Sequence, residues 1–261
     1  MTLSQTVKKR IEDDMVVISI DNPPVNALSL QVLEDLEKIF DELDRDDQVK
    51  GVVITGTGTN FSAGADIKAF SSASPDDAIS ISKIGQRVFN RIERFDRPVI
   101  AAVNGVALGG GNELTLACDI RISSDRARYS QPEVKLGLMP AWGGTQRLSR
   151  IVGKAKAKEM IFTGQTISAQ EAYRIGLVNR VVPDGEELRA SLDIIRQIAS
   201  IAAPLAIKAV KRVIEAGSNM SSIEDAQNLE VEAMKELAGS QDLKEGLDGF
   251  LQKRQPKFQG K

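Results

Sequence analysis

The sequence predicts an α/β fold, and three observations carry that reading. Short runs rich in β-branched residues recur between segments with helical spacing, which is the signature of strands alternating with helices. Strand signals then fade in the last third of the chain, where helices follow one another from about Ser168 to Lys253. At 261 residues the chain can bury a sizeable core, as one large domain or two small ones.

In chain order, strands are expected at Met15 to Ile20, Gly51 to Thr55, Pro98 to Val103, Ile120 to Ser123 and Leu177 to Val182. Between the first two, Ser29 can cap a helix whose Leu33, Leu36, Phe40 and Leu43 fall on one face. Farther on, Ser168-Ala-Gln-Glu171 and Ser221-Ser-Ile-Glu224 read as capping boxes, Gly176, Gly217 and Gly239 as helix ends, and Pro204 as a first-turn residue. The expected organisation is an α/β core over residues 1–190 and a helical C-terminal region over 191–261, with no repeat, low-complexity tract or linker.

Composition removes whole classes of chemistry. There is no histidine, so a Ser-His-Asp triad and a His-ligated metal site are excluded, and proton transfer falls to carboxylates, Lys, Tyr, the single Cys or water. A net charge of −2 gives no global attraction for nucleic acid or anionic membrane. Cys118 lies in an apolar run and reads as a buried structural thiol in a reducing compartment. The N-terminus carries charge where a signal peptide would need an apolar stretch, and no uncharged apolar run reaches the roughly 18 residues of a spanning helix. These features are those expected of a soluble cytoplasmic protein with no membrane or nucleic-acid partner.

The chemistry-bearing residues sit beside glycine-rich turns. Gly109-Gly-Gly-Asn-Glu113 follows an expected strand and opens an expected helix, so its backbone N–H groups can approach a ligand and receive the positive end of the helix dipole. It lacks the G-x-G-x-x-G spacing of a dinucleotide site. Glu113, in the first helical turn, is also what the macrodipole alone would favour. Glu133, after Pro132, reads either as a solvated turn carboxylate or as its acid/base counterpart. A second turn, Asn60-Phe-Ser-Ala-Gly-Ala-Asp-Ile-Lys68, presents small residues at Ala63, Gly64 and Ala65. Two such turns on successive parallel strands could direct two donors at one carbonyl oxygen. For Asp66 a helix cap competes with a binding role, and for Lys68 a surface charge does.

Taken in order, Phe61-Ser-Ala-Gly-Ala-Asp-Ile-Lys68, Ala102-Val-Asn-Gly-Val-Ala-Leu-Gly-Gly-Gly-Asn-Glu113, Gln131-Pro-Glu133 and Gly143-Gly-Thr-Gln-Arg-Leu148 resemble the crotonase (enoyl-CoA hydratase/isomerase) superfamily. The resemblance extends from Asn22-Pro-Pro-Val-Asn-Ala-Leu28 to Lys253-Arg-Gln-Pro-Lys-Phe258. It implies a spiral of ββα units, a helical C-terminal trimerisation region, a homotrimer or a hexamer of two trimers, and an acyl-CoA thioester as substrate. No metal is implied, and no cofactor apart from the coenzyme A of the substrate. By position, the N–H groups of Ala65 and Gly110 match the oxyanion hole. Ala63 to Lys68, with Asp66 and Ile67, match the CoA-binding turn, Ala27 and Leu28 lie near the nucleotide, and Lys68 or Lys257 could meet a phosphate. Glu113 is assigned to water activation and Glu133 to proton donation at C2, the reverse division remaining open.

Within the family that the chain resembles, the presence of both glutamates favours hydration over double-bond isomerisation. Ala141 replaces a glycine often found in the resembling Pro140-Ala-Trp-Gly-Gly144 stretch, where the backbone N–H toward the water is expected to matter. Trp142 either borders the acyl pocket or packs. The segment from Ser71 to Arg91 is expected to cover the acyl chain. Isomerase, CoA-thioester hydrolase and a non-catalytic CoA- or RNA-binding scaffold stand as alternatives.

Overall fold

The computed structural model describes residues 6–71 and 73–261. The first five residues of the N-terminal stretch, and Ser72 within the segment expected over the acyl chain, lie outside the described residues. By the density of internal contacts the chain divides into two units: residues up to Phe95 together with Val99–Asp193, and Asp96–Pro98 together with Ile194–Lys261.

In the first unit, the six-stranded sheet has the order β1 (Val7–Glu12), β2 (Met15–Ile20), β3 (Gly51–Gly56), β5 (Val99–Val103), β7 (Ile120–Ser124) and β10 (Arg180–Val182). Only β1 and β2 pair antiparallel; the remaining neighbours are parallel, with Val16 opposite Val52, Ile54 opposite Ala101 and Ala102 opposite Ile122. Every residue of β5 is buried, which explains its unbroken apolar sequence: a central parallel strand is covered on both faces. Helix α1 (Leu30–Leu43) starts where Ser29 Oγ accepts from Val32 N, and buries Val32, Leu33, Leu36, Ile39, Phe40 and Leu43 in the core. Phe40 meets Phe95 edge to face with ring centroids 5.1 Å apart.

A second, smaller sheet has the order β4 (Asn60–Ser62), β6 (Val106–Leu108), β8 (Arg128–Ser130) and β9 (Ile167–Ser168). Three times in succession, a strand of the large sheet is followed by a strand of the small one: β3 by β4, β5 by β6, β7 by β8. Helices follow each pair: α2 (Ile67–Ser71) and α3 (Pro75–Glu93) after β4, α4 (Gly110–Leu116) after β6, and a 3-10 turn (Glu133–Leu136) with α5 (Gly144–Val152) and α6 (Lys154–Thr163) after β8. This repeated strand–strand–helix order is the spiral of ββα units that the resemblance implies.

Helix α7 (Ala169–Arg174) leads to β10, α8 (Glu187–Ile201) spans the division between the units, and α9 (Pro204–Gly217), α10 (Ile223–Ala238) and α11 (Gln241–Leu251) belong to the second. Pro204 occupies the first turn of α9, as expected. Three expectations change in detail. Ser168 caps α7 through Glu171 N, but the Glu171 carboxylate turns to Arg174 and Lys156, so the box is not reciprocal. Ser222, not Ser221, caps α10, through Asp225 N. The last strand begins only at Arg180, because the N–H groups of Leu177 and Val178 bond Ala172 O to close the end of α7. Among the described residues no single helix is long and apolar enough to cross a membrane.

Candidate active site

The small sheet sets the site. Its β4, β6 and β8 run parallel, so their C-terminal ends lie along one edge, and each leads directly into a chemistry-bearing turn. Ala63-Gly64-Ala65 follows β4, Gly109-Gly110 follows β6, and Gln131-Pro132-Glu133 follows β8. Ligand sites of parallel sheets characteristically lie beyond the carboxyl ends of the strands. Here Gly109 N donates to Ser130 O at 2.9 Å, joining the second and third turns.

Glu113 projects from the first turn of α4 and is buried. Its Oε1 accepts two backbone hydrogen bonds from the loop after β8, from Trp142 N at 2.8 Å and Gly144 N at 2.6 Å. Burial pushes its carboxyl up to about 7, against the pull of those two donors; the nearby Glu133 adds to the rise and Arg147 opposes it.

Glu133 is held differently. Both its carboxylate oxygens are shielded from solvent without a hydrogen-bond partner among the described residues. Burial raises it, too, to about 7, against a smaller pull from its own backbone N–H, which does not reach hydrogen-bond geometry. Its Oε1 lies close above Gly109, where an added Cβ would come within 2.9 Å of it. Gly109 also has φ 49° and ψ −123°, a conformation that strains residues carrying a Cβ.

Both carboxylates line a cavity of about 550 Å³ that also reaches Ala63, Gly64, Ala65, Gly109, Gly110, Ala141 and Trp142. The two glycine-rich turns meet at its wall: a Cβ on Gly110 would lie 3.2 Å from Ala65 N, and one on Gly64 would lie 3.2 Å from Gly110 N. Gly110 is the first residue of α4, so its N–H has no intrahelical acceptor. Ala65 pairs with Leu28 through its neighbours, Leu28 N to Gly64 O and Asp66 N to Leu28 O, which turns its own N–H away from that pairing. One face of α3, carrying Ala78, Ile79, Ser82, Lys83 and Gln86, forms the opposite wall, as expected of the segment from Ser71 to Arg91.

The other expected site residues divide. Ile67 lines the cavity; Leu28 is buried in the core, and Ala27 sits beside it in the segment that pairs with the Gly64–Asp66 turn. Asp66 Oδ1 accepts from Lys68 N, so it does serve as a local cap. Neither Asp66 nor Lys68 is on the cavity wall, and Lys68 is exposed. Trp142 both packs, edge to face on Phe89 at 5.6 Å, and lines the cavity. Ala141 contributes its carbonyl to Gln86 Nε2 at 2.8 Å, while the N–H groups on Glu113 come from positions 142 and 144. Ala141 itself lines the cavity. Cys118 is buried, and its Sγ donates to Leu114 O at 3.4 Å.

A family model described as enoyl-CoA hydratase/isomerase matches residues 10–261. The chain belongs to the enoyl-CoA hydratase/isomerase family. It is 42% identical over 256 residues to the short-chain-enoyl-CoA hydratase of Clostridium acetobutylicum, covering 97% of each chain. It is 41% identical over 249 residues to the crotonyl-CoA hydratase of Syntrophomonas wolfei, covering 95% of each. The crystal structure of enoyl-CoA hydratase from Bacillus anthracis superposes with a TM-score of 0.94 at 36% identity, covering 98% of this chain and 100% of that one.

For a member of the enoyl-CoA hydratase/isomerase family, sequence reasoning missed the apolar rim formed by Leu136, Leu138 and Met139. It also missed Arg147, whose guanidinium reaches the Trp142 carbonyl. The rim residues carry no signal, because they lie in a loop and on a 3-10 turn whose orientation depends on packing. Arg147 was visible only as one letter of the Gly143 to Leu148 motif.

Proposed function

We propose that this family member adds water across the 2,3 double bond of a 2-trans-enoyl-CoA to give a 3-hydroxyacyl-CoA. The observation that carries the reading is the pair of buried carboxylates lining one cavity, one gripped by two N–H donors and the other hydrogen-bonded by none among the described residues. Donation to Glu113 favours its anionic form, that of a base; the absence of a hydrogen bond to the Glu133 carboxylate among the described residues favours its protonated form, that of an acid.

In the proposed reaction the thioester oxygen accepts hydrogen bonds from the N–H groups of Ala65 and Gly110. Glu113 takes a proton from water as the water oxygen bonds to C3, and the C2–C3 π electrons move toward the thioester oxygen. Glu133 delivers its proton to C2 as the enolate collapses. One water is consumed, and a proton passing from Glu113 to Glu133 through solvent restores the starting state. Two preorganised donors act where charge develops, and loss of one such donor typically costs about 2.7–4 kcal/mol of transition-state stabilisation.

The substrate is an acyl-CoA thioester, with the Ala27–Leu28 and Ala63–Lys68 segments beside its CoA part and Lys68 or Lys257 near a phosphate; no further cofactor enters. The region from residue 191 onward is the proposed assembly region of a homotrimer or a hexamer, supported by exposed Ile214, Val231, Met234, Phe250 and Leu251. A cytoplasmic location accords with a CoA substrate.

The test is turnover of crotonyl-CoA in oxygen-18 water, followed by enoyl absorbance and product mass. Labelled 3-hydroxybutyryl-CoA is expected. Turnover of a 3-enoyl-CoA without label uptake would replace hydration by isomerisation, and free thiol release would replace it by hydrolysis.

A further inference from the structure

The turn that grips Glu113 is itself held by one side chain outside the cavity. Arg147, in the first half of α5, has a side chain only 10% exposed. Its guanidinium makes four hydrogen bonds in three directions. Nε and Nη2 fork onto the Glu93 carboxylate at 2.7 and 2.8 Å, Nη2 also reaches Asn90 Oδ1 at 2.6 Å, and Nη1 donates to Trp142 O at 3.1 Å. Glu93 and Asn90 belong to α3, the helix whose other residues wall the cavity. Trp142 O lies between the two backbone N–H groups, of Trp142 and Gly144, that grip Glu113 Oε1. Residue 143 is shaped to fit: it has φ 111°, and a Cβ there would fall 2.1 Å from Arg147 Nη1.

We propose that Arg147 is a positioning residue for Glu113: by bridging α3 to the Trp142 carbonyl it holds the turn whose N–H groups orient the carboxylate, and it keeps a positive charge behind that carboxylate. The inference rests on the reading of Glu113 as the base. A lysine could not serve equally, because an ammonium lacks the planar fork that meets the carboxylate and the carbonyl together. The charges facing Glu113 come from several elements: Glu133 on the 3-10 turn, Arg147 on α5, and Lys83 and Glu93 on α3, with Glu93 behind the guanidinium. Arg147 opposes the rise of the Glu113 carboxyl, and Glu93 offsets part of that charge.

The test compares crotonyl-CoA hydration from pH 5.5 to 9 by wild type, Arg147→Gln, Arg147→Lys, Glu93→Gln and Glu113→Gln, with a thermal melt of each. Arg147→Gln is expected to lower kcat about tenfold while KM stays within about twofold, because the guanidinium orients the carboxylate but is not on the cavity wall. The acid limb of the kcat profile should move up by about half a pH unit, since a cation near the base is lost. Glu93→Gln should move the same limb down, because the guanidinium loses its counter-charge. Arg147→Lys should restore the limb but not kcat. An acid limb unmoved in both Arg147→Gln and Glu93→Gln, or moved in the same direction by both, overturns the inference, whatever the melts show. If Arg147→Gln does not fold, Glu93→Gln decides alone: a downward shift supports the inference, and no shift or an upward one overturns it. Near-wild-type kcat in Glu113→Gln would remove the underlying reading, whereas a collapse there with unmoved limbs removes only the role of Arg147.

Discussion

Glu113 and Glu133 face one cavity from neighbouring turns, and burial raises both to about 7, yet their surroundings differ. The turn over residues 142–144 presents two N–H groups to Glu113, while the Glu133 carboxylate lies close above Gly109 with no hydrogen-bond donor among the described residues. The contrast teaches that the division of labour between identical side chains is written in the backbone around them. A carboxylate with two donors is stabilised as an anion; one with none is cheaper to bury protonated.

The sharpest way to break that comparison is to neutralise each carboxylate without changing its shape. Glu113→Gln and Glu133→Gln should each lower kcat for crotonyl-CoA hydration by at least about 10²-fold, the usual scale of acid–base catalysis. A loss below about tenfold at either position would sink the two-carboxylate mechanism. The two variants should also differ: exchange of the C2 hydrogens of butyryl-CoA in deuterium oxide, read by mass, should vanish in Glu133→Gln and persist in Glu113→Gln. The opposite pattern would exchange their roles.

A smaller effect is expected from crowding only one of the pair. Gly109→Ala would set a Cβ 2.9 Å from Glu133 Oε1 in a strained conformation, and should cost about tenfold in kcat, with backbone strain of about 1–3 kcal/mol in stability. Wild-type activity at normal stability would mean that Glu133 is mobile enough to step aside.

The pH dependence sharpens the comparison further. Turnover should fall below neutrality as Glu113 takes up its proton and above it as Glu133 loses its own, giving a bell centred near 7. As a coupled pair, the two limbs belong to both groups together. A flat profile from pH 5.5 to 9 would contradict this arrangement.

Stability should show the smallest effect. A carboxyl raised from 4.5 to about 7 costs the fold nothing below 4.5, where it is protonated folded and unfolded alike. Between these values the unfolded chain releases a proton that the folded chain retains, so stability falls as pH rises, and the full penalty persists above 7. Glu133→Gln should therefore stabilise the protein at pH 8, by about 1–2 kcal/mol after allowing for partial exposure, and the gain should vanish toward pH 4.5. Urea unfolding at both pH values measures it, and an equal gain at both would assign the effect to packing. Glu113, raised to the same value with its two donors already acting on it, should show a gain of the same sign and the same pH dependence in Glu113→Gln.

The two sheets differed in legibility for a physical reason. Strands β2, β3 and β5 are five or six residues of mostly β-branched or apolar sequence, long enough to read directly. Strands β4, β6 and β8 have three residues each and carry no period, so none was visible as a strand. Their parallel pairing nevertheless aligns the functional turns. Gly109, Gly110, Glu113 and Glu133 were legible because glycine and carboxylate chemistry is local. Lys68 was legible only as a charge after a glycine-rich turn; it is exposed and off the cavity wall, and where a long side chain on a short helix reaches is not a local property.

By itself the sequence determined the α/β class, the absence of imidazole chemistry, the glycine-rich turns and the two carboxylates, since each follows from composition or short-range spacing. The tertiary structure alone decided that Glu113 receives the N–H groups of residues 142 and 144, that Glu133 is hydrogen-bonded by none among the described residues, and that Arg147 ties the gripping turn to α3. The contacts to Glu113 and to α3 join residues 29 to 57 positions apart in the chain, and only the pairing of three short parallel strands and the packing of α3 and α5 bring them within hydrogen-bond reach.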